Sequence, residues 1–490
     1  MFNRRDFLKI SAAGVSSLAL PMELFGEESQ NDEYKAIVII YQGGGNDGMN
    51  MFIPSSSDEK SGYPNYARIR DSIRVEDNEL TLPTDDDTNS LVLSNGNPYA
   101  TNNSLPDAYT VGMYKHEGMD VATNALMPEV AHLVNQGKVA VIANLGNLEM
   151  PSTKAELKGK VKPLPPFLFA HNHQTKLVMN GIAGELDFTG WAGRLADRWI
   201  GLNGGDIYGF NIGIGSSEHL FYGDQTTPLI ISSNGPTSYY GIRRDLHNNY
   251  MDISKGDKFR RYYNEIRKHS FEMQDTIVDD WNNNAPTWSS TNAYGGELFS
   301  APTNEQLSQD KPILADVGML RSLKAVAKLA YIGKNRGLKR QIFYIGDGGY
   351  DTHNNQRNQH SKKLRGLSLG LGDFYLALKD MGMENDVTIL NVSDFGRSTG
   401  NNGDGTDHAW GGTYFVMGGA VKGGLYGTLP DLTLGSDDDL YSKGRLIPTT
   451  SMSQHYATIL KWFGVEGELL DYVLPELKNF DVKDLGFMNV

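Results

Sequence analysis

Three apolar runs in this chain each stop at a short cluster of Asp, Asn, Ser and Gly. Ile37-Val38-Ile39-Ile40-Tyr41 leads into Gly43-Gly44-Gly45-Asn46-Asp47-Gly48. Phe343-Tyr344-Ile345 leads into Gly346-Asp347-Gly348-Gly349-Tyr350-Asp351-Thr352-His353. Val387-Thr388-Ile389-Leu390-Asn391-Val392 leads into Ser393-Asp394-Phe395-Gly396-Arg397. Consecutive apolar positions read as strands buried on both faces, as in a parallel sheet covered by helices. Such a sheet builds its sites at the carboxyl ends of its strands, where these clusters fall. A fourth cluster, Gly405-Thr406-Asp407-His408, adds another imidazole. Carboxylates and imidazoles delivered to one edge predict a metal site.

The rest of the chain alternates in the same way. Helices are expected over Met127 to Gln136, Trp191 to Ile200, Lys258 to Trp281, residues 313–335, Ser361 to Met381 and Ser453 to Trp462. Strands are expected over Val139 to Leu145, Asn211 to Ile214, Pro228 to Ile231 and Thr413 to Met417. This predicts an α/β fold with a doubly wound, mostly parallel sheet, one domain over residues 33–490. Residues 235–310, polar and rich in aromatics, read as an insertion or cap. Residues 55–120, which include Thr84-Asp85-Asp86-Asp87, read as long loops with short elements.

Composition removes several functions. A net charge of -14 argues against nucleic-acid binding through a basic surface. The absence of cysteine excludes disulfides, thiolate metal sites and Cys nucleophiles. Mean hydropathy of -0.41 describes a soluble protein. The start is distinctive: Asn3-Arg4-Arg5-Asp6-Phe7-Leu8-Lys9 precedes a short apolar run from Ile10 to Pro21. Residues 1–26 therefore read as a twin-arginine signal, recognised by the twin-arginine export machinery. The run is too short to span a membrane with confidence, so a periplasmic or exported protein without stable membrane insertion after cleavage is expected.

Each candidate residue carries two readings. Asp47 is a metal ligand or a turn residue. Gly43-Gly44-Gly45 beside it lacks the continuation of a nucleotide-binding loop. Asp351 and His353, two apart, share a face if the segment is extended, or else cap the next helix. Asp394 closes a strand, and Arg397 three residues later can bind an anion bidentately. Asp407 and His408 follow a loop rich in Gly and Asn and offer a further carboxylate and imidazole. The mixture of Asp and His suits zinc or manganese, with calcium as the alternative. His171 and His173, in Phe167-Leu168-Phe169-Ala170-His171-Asn172-His173-Gln174-Thr175, form a substrate or metal wall and can donate a proton to a leaving oxygen.

Taken in order, these segments resemble a known group. They are the Arg4-Arg5 start, Gly44-Gly45-Asn46-Asp47-Gly48-Met49-Asn50, Leu168 to Gln174, Gly190-Trp191-Ala192-Gly193-Arg194, Gly349 to Gln356, Ser393 to Ser398 and Gly405 to Gly412. The chain resembles the exported bacterial domain-of-unknown-function family 1501, which is similar in fold to the alkaline phosphatase and sulfatase superfamily. That resemblance implies a hydrolase of phosphate or sulfate esters with one or two divalent ions held by Asp47, Asp351, His353, Asp394 and His408. An anionic ester is the implied substrate, with Arg397 steadying its charge. Two positions depart from the superfamily. Phe395 stands where a metal-binding His is usual, and Ala170 stands where relatives read Ser. Thr175, Thr153, Ser152 or water activated at the metal would then have to act as nucleophile. The other expectation is a non-catalytic binding or envelope-assembly protein on the same scaffold.

Overall fold

A computed structural model describes residues 33–82, 111–237, 245–246, 249, 258–284, 286–301 and 317–489. The expected signal at residues 1–26, the run Thr84 to Asp87 and parts of residues 235–310 lie outside the described residues. In chain order the strands are β1 (Lys35–Gly43), β2 (Phe52–Pro54), β3 (Met113–Tyr114), β4 (Val121–Asn124), β5 (Val139–Gly146), β6 (Asn211–Ile214) and β7 (Leu229–Ile231). They continue with β8 (Arg340–Gly348), β9 (Val387–Val392), β10 (Gly412–Gly418), β11 (Gly424–Tyr426) and β12 (Thr450–Ser451). The helices are α1 (Tyr63–Arg70), α2 (Pro128–Asn135), α3 (Lys154–Lys158), α4 (His171–Asn180) and α5 (Trp191–Arg198). They continue with α6 (Lys258–Asn283), α7 (Val317–Asn335), α8 (Gln356–Asp380), α9 (Met452–Phe463) and α10 (Gly467–Val473).

The main sheet has the order β11-β5-β10-β9-β1-β8-β6-β7, with β12 also on β5. β1 runs parallel to both β8 and β9, in register Ile39↔Tyr344 and Ile39↔Leu390. Only β10 is antiparallel to its neighbours β5 and β9. The chain is thus a mixed α/β protein on a mostly parallel sheet. Alternate β1 side chains feed two cores. Ala36, Val38 and Ile40 pack with Val130, Leu323, Leu367 and Phe374 of α2, α7 and α8. Ile37 and Ile39 pack with Trp191, Leu195, Tyr456 and Leu460 of α5 and α9. Each fully buried Ile or Leu contributes on the order of 1.5–3 kcal/mol, so a run without polar positions is what a strand covered on both faces requires.

Several expected elements differ in extent. α8 starts at Gln356, five residues before the sequence suggests, because Asn355 at φ 49° and its N–H bond to Asp404 turn the chain early. The stretch expected as a substrate or metal wall at residues 165–175 opens α4 at His171, and the helix ends at Gly181 in the left-handed region (φ 66°). The described part of residues 235–310 packs on the helix layer. Arg336, just past the end of α7, pairs with Asp280 of α6, and Asp380 of α8 accepts the Ser289 and Ser290 N–H groups. Among the described residues, no helix is long and apolar enough to cross a membrane.

Candidate metal centre

β1 ends in a glycine turn that brings two loops together. Gly44 has φ +119°, and a Cβ there would fall 2.3 Å from the Asp351 amide. Only glycine lets this turn lie against the loop after β8. The exposed N–H groups of Gly44 and Gly45 donate to Asp394 Oδ1 at 3.1 and 2.6 Å. The turn therefore cradles a carboxylate of the chain itself, which follows β9.

The other Asp394 oxygen, Oδ2, accepts from His171 Nδ1 at the start of α4. A carboxylate only accepts, so Nδ1 carries a proton, and in the neutral ring Nε2 keeps a lone pair. That Nε2 is buried, has no hydrogen-bond partner, and lies 3.5 Å from Asp351 Oδ2. The hydrogen bond to Asp394 pushes the His171 pKa above its ordinary value, against the pull of burial.

His408 is placed by an antiparallel bridge with Arg397. Its Nδ1 donates to the Phe169 carbonyl at 3.0 Å, which again leaves Nε2 bare. Burial pushes the His408 pKa down, reinforced by the nearby His171 and Arg397 charges. His353 Nδ1 lies 3.4 Å from Asp407 Oδ1. Its Nε2 is 2.9 Å from His408 Nε2, and both nitrogens are 3.1 Å from Asp351 Oδ1. Asp351 thus sits among three imidazoles, each held from behind through Nδ1. Burial raises its carboxyl, but the Arg397 and His408 hydrogen bonds outweigh this and hold it below the ordinary value.

Two imidazole nitrogens 2.9 Å apart beside a carboxylate share either a proton or a cation at the centre. An extra proton on His408 is disfavoured by its burial. A divalent ion fits better. Metal–nitrogen bonds of about 2.0–2.1 Å in a tetrahedron separate ligand atoms by about 3.4 Å, close to the 2.9–3.5 Å seen here. His171, Asp351 and His408 each offer a ligand atom, all within 4.8 Å of one another. The orphaned His171 Nε2 is the observation that makes the fit specific.

Three of the five expected metal ligands meet here: Asp351, His353 and His408. Asp394 stands one hydrogen bond behind, holding His171, which takes the place expected for a ligand. Asp47 corrects the expectation. Its Oδ2 receives Arg70 Nη1 at 2.6 Å and Gln356 Nε2 at 2.5 Å, and both ion-pair partners are fully buried. Burial raises the Asp47 carboxyl, but Arg70 overrides it and keeps the pKa low. Arg397 is a second correction. Its side chain is buried and donates to Thr406 Oγ1, the Thr406 carbonyl, the Gly44 carbonyl and Asp351. Its donors orient the site and do not face a substrate. His173 is a third. Residues two apart on a helix are separated by about 200°, and His173 stacks on Phe167 at 4.0 Å between ring centroids.

The expected hydroxyl nucleophiles are engaged locally. Thr153 forms the capping box of α3, Ser152 donates to the Met150 carbonyl, and Thr175 donates to the His171 carbonyl. Ala170, the residue before α4, offers no hydroxyl. Phe395 packs against His171 and His408 at 4.8 and 4.7 Å. Sequence reasoning missed Arg70 and the roles of Asp407 and the Phe169 carbonyl. Adjacency to His408 was an available signal for Asp407; a backbone carbonyl leaves none.

A family model described as Protein of unknown function (DUF1501) matches residues 34–454. No curated protein matches the sequence. Among solved structures, the crystal structure of Ps i-CgsB is similar at TM-score 0.30 and 10% identity, covering 74% of this chain and 69% of that one. The crystal structure of Ps i-CgsB in complex with k-i-k-neocarrahexaose is similar at TM-score 0.28 and 13% identity, with the same coverage. Likeness at this level carries no argument about the site.

Proposed function

The chain belongs to the DUF1501 family, and we propose that it is an exported hydrolase of phosphate or sulfate esters using one divalent ion. The convergence of three Nε2 atoms on Asp351 carries this reading. Asp351, His353, His408 and His171 would hold the ion, and Asp394, Asp407 and the Phe169 carbonyl would fix the imidazole tautomers. Neutral nitrogens with a carboxylate suit zinc or manganese, with calcium the weaker alternative. When bound, such an ion polarises the ester oxygen and lowers the pKa of water. Arg397 keeps Asp351 oriented. Phe395 keeps water from the inner faces of His171 and His408. One ion is favoured over two because Arg70 already supplies the cation that Asp47 needs.

We read the sheet, with helices on both faces and the site at its carboxyl edge, as a doubly wound scaffold of the alkaline phosphatase and sulfatase type. Residues 1–26 serve as its twin-arginine address, bringing the protein to the periplasm through that export machinery. Zinc- or manganese-loaded mature protein should cleave an aryl phosphate or an aryl sulfate, and Asp351→Ala should not. Loaded wild type inactive on both esters would sink the hydrolase reading. Ala170 motivates a second reading, a non-catalytic binding or envelope-assembly protein. Turnover lost in Asp351→Ala would reject it.

A further inference from the structure

The anion-binding residue expected from the sequence, Arg397, has its guanidinium buried and engaged. A different arginine lies beside the cluster. The loop carrying Arg445 is fixed by Asp439, which accepts N–H groups from Gly435, Tyr441, Gly444 and Arg445. It is stitched to both site loops, since the Thr399 amide donates to the Gly444 carbonyl and the Gly411 amide to the Leu446 carbonyl, each at 2.9 Å. Arg445 therefore stands between the segment bearing Arg397 and the segment bearing His408.

Its side chain is half-buried, and Cζ lies 4.4 Å from the ring centroid of Phe169, whose carbonyl holds His408. Tyr441 lies 5.9 Å away on the same loop. Among the described residues this guanidinium makes no hydrogen bond and no ion pair, and its Nε is buried without a partner. Asp407 feels its charge without pairing to it, while Asp351 is paired with Arg397 and Asp394 with His171. A guanidinium held over an aromatic ring, with no protein acceptor on its donors, is a preorganised receptor for oxygen anions.

We propose that Arg445 binds the tetrahedral oxyanion of the substrate, a phosphate or sulfate group, at the mouth of the Asp351 cluster. This rests on the metal-site reading, because the same group must reach both. The planar fork presents two parallel N–H donors to two oxygens, leaving the others for the cluster. Phe169 links the two sites, with its ring under Arg445 and its carbonyl on His408.

The test compares wild type, Arg445→Met and Arg445→Lys after loading with zinc or manganese. Metal content is measured first, then binding of inorganic phosphate and of inorganic sulfate by calorimetry. Arg445→Met keeps an apolar stem on Phe169 and removes the fork. Equal metal in all three proteins is expected, with the preferred anion bound about tenfold more weakly or worse by Arg445→Met. Arg445→Lys should fall between, since it keeps charge but loses the bidentate geometry. The anion bound more tightly by wild type identifies the ester class. Anion binding by Arg445→Met equal to wild type overturns the proposal, as does metal-loaded wild type that binds neither anion. Loss of metal in Arg445→Met also overturns it, because Arg445 would then act by supporting Phe169. Wild type that takes up no metal defeats the metal-site reading and this one together.

Discussion

Asp47 and Asp351 follow neighbouring parallel strands, β1 and β8, and their surroundings are opposite. The Asp47 side chain is 1% exposed and locked to Arg70 and Gln356, with Asn46 and His360 packed beside it. The Asp351 side chain is 46% exposed and faces three imidazoles whose lone pairs converge. Both carboxylates pair with an arginine, Asp47 with Arg70 and Asp351 with Arg397. Only Asp351 also opens towards solvent and shares its oxygens with imidazoles, so only there can an ion enter.

The largest effect should come from opening the second region. Asp351→Ala should abolish stoichiometric metal uptake, because it removes the carboxylate common to His353 and His408. Elemental analysis checks this, and full occupancy in the variant would place the ion elsewhere. Breaking the first region should cost stability instead. Arg70→Met leaves a buried, unpaired Asp47, at about 3–5 kcal/mol, read by denaturant unfolding. Metal uptake by the folded fraction should be unchanged. If Arg70→Met binds a second ion, the two regions are alike after all.

Acid should act on the first region as well. Burial depresses His360, beside Asp47, to about 4, and His455 to about 3. Unfolded, both take up protons near pH 6.5. Their contribution is full above about 6.5 and is lost as pH falls towards 4, about 3 kcal/mol for His360 alone. Comparing the unfolding of metal-free wild type with that of metal-free His360→Gln between pH 7 and 4 separates this from ligand protonation. A flat profile would contradict the buried-neutral assignment. The smallest effect belongs to Asp394→Asn. It weakens the grip on His171 Nδ1 and should lower metal affinity about 10–100-fold. Unchanged affinity would remove Asp394 from the support of the site.

The sheet was legible because its central strands carry consecutive apolar positions, as Ile37 to Ile40 do. The Asp351-Thr352-His353 and Asp407-His408 segments were legible because ligand types fall at strand and loop ends. What the sequence hides is pairing across the chain. Arg70 lies 23 residues from Asp47, on a helix read as loop. Nothing in either segment signals that the two meet. Arg397 looks like an anion receptor by its place after Asp394, yet packing engages its donors. Arg445, in an unremarked loop, keeps its own.

One divalent ion should sit on the Asp351 cluster and none at Asp47. Elemental analysis of mature wild-type protein, purified without chelator, decides this. One equivalent of zinc or manganese per chain is expected, lost in Asp351→Ala and retained in Asp47→Asn. Metal-free wild type, or an ion lost in Asp47→Asn while Asp351→Ala keeps it, would overturn the assignment of the ion to Asp351.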